Sequence, residues 1–473
     1  MAIFQNNLLA GAGAQSSDST YAIDQSIRFN KADSAFMYRN FSGAGNKKTA
    51  TWSFWCKRAD LADRQDVISF AQDVPFIFQS DDTLKIATFG VISLVTNRVF
   101  RDPSAWYHFV LTVDSTNQIS TDRIRLYVNG QRETSFSTES YPSLNADANF
   151  YTGTPSSPYT AYAQQIGNII GGSYYNSLYL AEIHYLDGIS YGPEYFGETN
   201  SNGIWIPKQY DGSYGTNGFY IDGRDSSDLG DDESGNGNDF TTSGLAAHDQ
   251  MLDTPTNNFA VLNPADTFGK LAGEIRNGNL ELKDNSASVY VHGRATFGFD
   301  VTDSNGFYWE SCDVVDGSQI GGICEDNAVI PSGSDVGFTG ARGSNSVNTS
   351  NYYKLENTTY NSVDLGVASN AGDIVQFCVK NGKLFIGINN TYVLSGNPAT
   401  EANPLFTGLT GIFMPFGGLY SGFSYNTIYN FGQDGTFAGN KTAQGNTDAN
   451  GYGNFFYAPP SGAKALCSKS LGS

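Results

Sequence analysis

From Ser26 onward the chain runs in short stretches of alternating apolar and polar residues, broken by Asp, Asn and Gly turns. Alternation with a period of two marks half-buried strands, and closely spaced strands with turn signals between them predict an all-β sandwich. Residues 49–57 (TATWSFWCK), 106–113 (WYHFVLTV) and 123–128 (RIRLYV) are three such stretches. In the first, Trp52, Phe54 and Cys56 share one face while Ser53, Trp55 and Lys57 share the other, and the first set is expected to face the core. Asn129–Gly130, directly after the third, predicts a two-residue hairpin turn, because both central positions of that turn need positive φ.

The pattern divides the chain into four parts. Residues 1–20 form a small-residue arm (AGAGA within it), read either as an attachment arm laid into a partner or as an edge strand of its own sandwich. Residues 21–195 make a first sandwich. Residues 196–265 are dominated by turn formers, with Pro207, Pro255 and Pro264 interrupting any long element, and read as a connector that wraps the first domain and leads to a second. Residues 266–473 are again rich in strand-like runs and close on a tail. No repeat of 20–50 residues is present, which excludes solenoids and propellers.

Composition narrows the function classes. Charged residues are only 16% of the chain and aromatics 14%, with 53 Gly and 4 Met, so long amphipathic helices are excluded and disorder is not expected. The formal charge of −20 argues against nucleic-acid binding, which needs a basic stripe. Residues 201–250 alone hold nine acids against two bases. No apolar run is long enough to span a membrane, and the first residues lack the basic region of a signal peptide. The five cysteines are an odd number without CxxC spacing and read as buried thiols in a protein folded in a reducing cytosol.

Several phrases together resemble known families. SIRFNKADSAFMY, TWSFWCKR, WYHFVLTVD with RLYVNGQRE, and YLAEIHYLDGIS resemble the successive strands of a laminin-G/pentraxin-like, concanavalin A-type jelly roll over residues 20–195. The connector phrases WIPK, YGTNGFY and SGNGND resemble segments of structural proteins of marine bacteriophages. In the last part, GFYWESCDVVDG, GDIVQFCVKNGKLFIGINN and YNFGQDGTFAG resemble a SPRY domain, whose central hairpin would run from Gly372–Asp373 through Asn381–Gly382 to Ile388. The resemblance implies peptide-binding loops near 327–335 and 340–353.

The jelly-roll relatives include β-glucanases, whose chemistry needs paired carboxylates on one strand. Their Glu–x–Asp–x–(x)–Glu strand is missing. The nearest pair, Glu182 and Asp187, is separated by five, which places them on opposite faces of a regular strand. His108 and His184 lie in strand-like runs beside aromatics and read as structural; no nucleophile elbow, HExxH, P-loop or dinucleotide fingerprint is present. The expectation is therefore no enzyme.

Two binding chemistries remain. Asp222, Asp225, Asp228, Asp231, Asp232 and Asp239, interleaved with Gly, Ser and Asn, read either as calcium ligands or as a solvated acidic loop without EF-hand spacing. Tyr159, Tyr162, Tyr174, Tyr175, Tyr210 and Tyr214, in loop-like stretches, read either as platforms for sugar rings or as packing and subunit contacts.

Taken together with the resemblance, the expectation is a non-enzymatic bacteriophage virion protein, a tail fibre or appendage component that attaches to host-surface glycan. It would fold in the host cytoplasm and join the particle through contacts of its N-terminal arm with other virion proteins, as a homo-oligomer, with a trimer favoured by analogy. Neither nucleic acid nor membrane insertion is expected. A head fibre or capsid decoration protein, a secreted lectin or glycan-active enzyme, and an intracellular SPRY adaptor are the alternatives.

Overall fold

The computed structural model describes residues 21–472 except 42–44, 71–72, 89–90, 148–162, 170–171, 173, 269–274, 284–290, 316–318, 330–337, 347–350, 358 and 420–424. The N-terminal arm, Tyr159 and Tyr162 lie outside the described residues. The chain is all-β, with one four-residue α-helix, Ser468–Leu471, among the described residues. The described residues divide into two compact units, 21–256 and 257–472.

The first unit is a sandwich of two eight-stranded antiparallel sheets. At the centre of one sheet, Thr49–Arg58 lies between Trp106–Asp114 and Leu178–Asp187. The expected inner set, Trp52, Phe54 and Cys56, joins a core built from both sheets, with Phe70, Phe76 and Phe78 opposite. Asn129 and Gly130 both adopt positive φ, 48° and 76°, and turn Ile124–Val128 back onto Gln131–Arg132 as expected.

The other face of the Thr49–Arg58 strand is not open to water. Ser53, Trp55 and Lys57 are as buried as the core set: Lys57 pairs with Asp253, and Trp205 bonds to His108, which stacks on Trp55 and contacts Ser53. The connector reading of 196–265 is corrected here. Phe219–Ile221 pairs with the Leu178–Asp187 strand, Thr241–Ser243 with Phe36–Asn40, and Gln250–Met251 with Ser26–Phe29, so the first unit continues to Thr256. Turn-rich composition predicted a connector wrapping the first domain; what it encodes is short strands completing that domain's sheet edges. Trp205 shows the covering directly. Its ring lies against the backbone of Gly130 and Gly197, where an added Cβ would stand 2.4 and 2.5 Å from ring carbons.

The second unit is a sandwich of an eight-stranded and a seven-stranded sheet. The hairpin Ile374–Lys380 to Lys383–Ile388 turns at Asn381 and Gly382, both at positive φ, as the sequence predicted. The two sheets approach closely where glycines remove side chains: a Cβ on Gly321 would stand 2.8 Å from Phe377, and one on Gly417 2.2 Å from the Tyr429 hydroxyl. The expected loop at 340–353 is in part strand. Arg342–Ser346 pairs on both sides, with Gly343 set against the backbone of Gly322, a close approach that substitutes for the missing β-formers. All five cysteines are free and buried.

Candidate functional site

The site is built around an irregularity in the Leu178–Asp187 strand. Leu178 and Leu180 face the core, but so do Ile183 and Tyr185, a change of parity that requires an extra residue. The register against Thr49–Arg58 shifts between Ala181 and His184, and Glu182 takes φ 52°. The strand's other neighbour changes at the same place. Ser26–Phe29 pairs with Leu178–Leu180, whereas Phe219–Ile221 pairs with Ile183–Tyr185.

Glu182 is thereby placed between residues of both neighbouring segments. Tyr21 donates its hydroxyl hydrogen to Oε2 at 2.7 Å and Tyr220 donates to Oε1 at 2.7 Å. His184 Nε2 stands 3.7 Å from Oε2. Burial pushes the Glu182 carboxyl upward, but the contacts from His184, Tyr220 and Tyr21 outweigh it and hold the group below its ordinary range. Burial, and then the Glu182 charge, keeps the Tyr21 and Tyr220 hydroxyls protonated.

His184 is stacked on Tyr220, with ring centres 4.3 Å apart and planes at 5°, and its Nδ1 is 3.2 Å from the Tyr214 hydroxyl. Above these groups opens a cavity of ≈ 400 Å³ lined by Tyr21, His184, Gln209, Tyr210, Asp211, Gly212, Tyr214, Tyr220, Arg224 and Glu233. Arg224 is half-exposed and its Nε lies 3.4 Å from Asp222 Oδ2. The Glu233 carboxyl is raised, first by the negative charge of Asp222 and then by desolvation. That of Asp222 is raised by burial first, against the pull of Arg224.

His108 differs. It is buried, its Nδ1 accepts from Trp205 Nε1 at 2.9 Å, and its Nε2 lies 2.9 Å from Ser53 Oγ. Burial lowers it to about 3, with His184 adding to the effect, so it is a neutral packing group as expected.

Of the sequence-stated sugar platforms, Tyr210 and Tyr214 do reach the cavity, but not as exposed rings. They are 8% and 9% exposed, packed with Val110, Leu186 and Phe196. Tyr174 is exposed beneath the Arg64 guanidinium and Tyr175 sits beside Phe36; neither lines the cavity. The six aspartates are distributed over several turns. No group of three or more His, Cys, Asp or Glu among the described residues could hold a metal. Asp222, Asp225 and Asp228 each cap a turn by accepting a backbone N–H two residues on. Asp239 accepts from Asp232 N, and Asp232 itself accepts from Tyr220 N, Ser234 N, Ser234 Oγ and Asn238 N. Asp231 is raised by burial and then by Asp239, Asp228 and Asp225, a crowding of like charges.

Glu182 and Asp187 serve different places. Asp187 accepts from Asn46 N and Asn217 N at another concavity, of ≈ 470 Å³. Tyr21, His184, Tyr220, Asp211 and Arg224 carry no sequence signal of their own as ligand-binding residues, whereas Glu233 lies within the acidic run read as calcium ligands. The parity change across 178–185, with Glu and His inside an otherwise apolar strand, was the available signal.

A family model, laminin G of the concanavalin A-like lectin/glucanases superfamily, matches residues 32–165. No curated protein matches the sequence significantly. Among solved structures, the chain is similar to a candidate carbohydrate-binding protein from Bacteroides ovatus at 14% identity, over 47% of this chain and 58% of that one, with a TM-score of 0.33. It thus spans little more than half of that protein. It is also similar to the SPRY domain of human HERC1 (14% identity, 36% and 96% covered, TM-score 0.23). Domains LG4-5 of the mouse laminin alpha1 chain match at 9% identity, 88% and 91% coverage and a TM-score of 0.29.

Proposed function

We propose that the protein is a non-enzymatic glycan-binding component of a bacteriophage fibre or appendage, and that the Glu182–His184 cavity is its sugar site. The observation that carries the sugar site is the cavity itself. The half-buried Tyr21 and Tyr220 contribute partly accessible apolar surface, while Gln209, Asp211, Arg224 and Glu233 offer polar groups for sugar hydroxyls. The family match to the concanavalin A-like lectin/glucanases superfamily, over residues 32–165, supports a lectin-type fold for part of the same unit, outside the cavity-lining residues. Glu182 and Asp187, the carboxylate pair weighed for glycoside hydrolysis, accept hydrogen bonds from different segments, which supports a binding reading. The virion setting rests on the sequence resemblance, together with attachment through the N-terminal arm, homo-oligomerisation and assembly after folding in the host cytoplasm.

The test is a glycan array probed with the full chain and with Arg224→Ala/Tyr214→Phe. Binding of defined glycans that falls at least tenfold in the variant supports the reading; a folded protein that binds none of them overturns it. Mass spectrometry of purified particles tests the virion setting, which fails if the chain is missing from them.

A further inference from the structure

Asparagine is followed by glycine eight times in the chain, at Asn129, Asn202, Asn217, Asn236, Asn277, Asn305, Asn381 and Asn450. At such a step the glycine nitrogen, with no side chain beside it, can attack the asparagine side-chain carbonyl, provided that side chain is free to swing onto it. The fold withholds this freedom from six of the eight. Asn129 Oδ1 accepts from His108 N, Asn277 Nδ2 donates to Glu281, and Asn381 Nδ2 donates to Glu401. Asn217 is buried, with its N bonded to Asp187. Gly306, after Asn305, is buried, its N bonded to Asp303 and its O to Lys464 N. Asn236 is exposed, but its Nδ2 donates to Gly215 O at 2.8 Å and to Gly218 O at 2.9 Å.

Asn202 and Asn450 differ from these. Both lie exposed in turns, the glycines after them have nothing within 4 Å of an added Cβ, and neither side chain makes a hydrogen bond among the described residues. Their restraints are confined to the turn: Gly203 N donates to Asn200 O at 3.0 Å, and Gly451 N to Asp448 O at 3.0 Å. Bonds of such short range in an exposed turn open locally, without unfolding the unit. We infer that Asn202 and Asn450 are the sites at which this protein deamidates spontaneously, and that the fold protects the other six. The glycine nitrogen bonds to the asparagine Cγ and the Cγ–Nδ2 bond breaks, the amide nitrogen leaving as ammonia with the glycine proton. Water then opens the cyclic imide at either carbonyl, giving aspartate or isoaspartate; nothing is oxidised or reduced. Each event adds a negative charge to a turn, one in each unit.

The experiment is peptide mapping by mass spectrometry of the full chain, held folded at mildly alkaline pH, where the glycine nitrogen loses its proton more readily. A second sample is held unfolded in urea at the same pH. In the folded chain the Asn202 and Asn450 peptides are expected to convert about tenfold faster than the other six, and in urea that spread is expected to collapse. Asn236 is the decisive comparison, because it shares the exposure of Asn202 and differs in its held amide. Equal conversion of these two in the folded chain would overturn protection by held amides. First conversion at any of the six, the same spread in urea, or no conversion of Asn202 and Asn450 while urea converts them would overturn the assignment. Asn200→Ala removes the side chain that accepts from Asn202 N and Ile204 N. With the fold checked by circular dichroism, it is expected to speed Asn202 several-fold and leave Asn450 unmoved; an unchanged rate at Asn202 would overturn the placing of its restraint in that turn.

Discussion

Lys57 and Asp253 form an ion pair of 2.7 Å with side chains 1% and 0% exposed, and Trp106 Nε1 donates to the second carboxylate oxygen at 3.0 Å. The pair joins the sheet face of the first unit to the end of the segment that covers it. Burial lowers the Lys57 amine and Asp253 opposes that fall. A buried charge left without its partner is costly, whereas an apolar replacement of both is not. Asp253→Ala is therefore expected to destabilise the first unit by about 3–5 kcal/mol. Lys57→Met/Asp253→Leu should recover most of the loss. Urea unfolding followed by fluorescence reports this, since Trp52, Trp55, Trp106 and Trp205 all lie in that unit.

Glu310 predicts a pH dependence in the second unit. Burial raises it from its ordinary 4.5 to about 7, opposed by Tyr457 N and Phe456 N, then by Tyr308 and Asn430. A folded value above the unfolded one means the native state holds the extra proton between them. The contribution is fully present below pH 4.5 and is lost as pH rises through 7, a change of about 3 kcal/mol. Denaturation of the second unit across that interval should show the decline. Glu310→Gln should abolish this slope, whatever its effect on the absolute level.

Two glycines with similar backbone angles should respond differently to alanine. Gly130 has φ +76° and a Cβ there would stand 2.4 Å from the Trp205 ring; Gly235 has φ +82° and nothing within 4 Å. Gly235→Ala is expected to cost about 1–2 kcal/mol, from the left-handed backbone alone. Gly130→Ala should cost about 1–3 kcal/mol more, from the overlap. Comparing their thermal unfolding midpoints checks this.

The Asp222–Asp239 region should behave as a stapled loop. With its oxygens accepting from Tyr220, Ser234 and Asn238, Asp232→Ala is expected to cost about 1–3 kcal/mol. Adding calcium or EDTA should leave the melting curve of the wild-type protein unmoved. A clear calcium-dependent rise would show that the carboxylates rearrange around a cation.

Period-two alternation, Asn–Gly turns and the inner set Trp52, Phe54 and Cys56 were legible in the sequence, because each depends only on near neighbours along the chain. So were the two sandwiches and the burial of the cysteines. What covers the outer face of the first sandwich was not legible. Residues 196–256 are turn-rich locally, and their short strands gain stability only against sheet edges contributed by residues far away in the chain. The candidate site belongs to the same class. Glu182 comes to hold two tyrosines of the cavity lining only because the strand irregularity turns it outward, and because Tyr21 and Tyr220, separated by 199 positions, meet over it. Alternation along a strand is a local property. The convergence of side chains from three segments is decided by tertiary packing, where register and sheet neighbours select which of many possible groups meet.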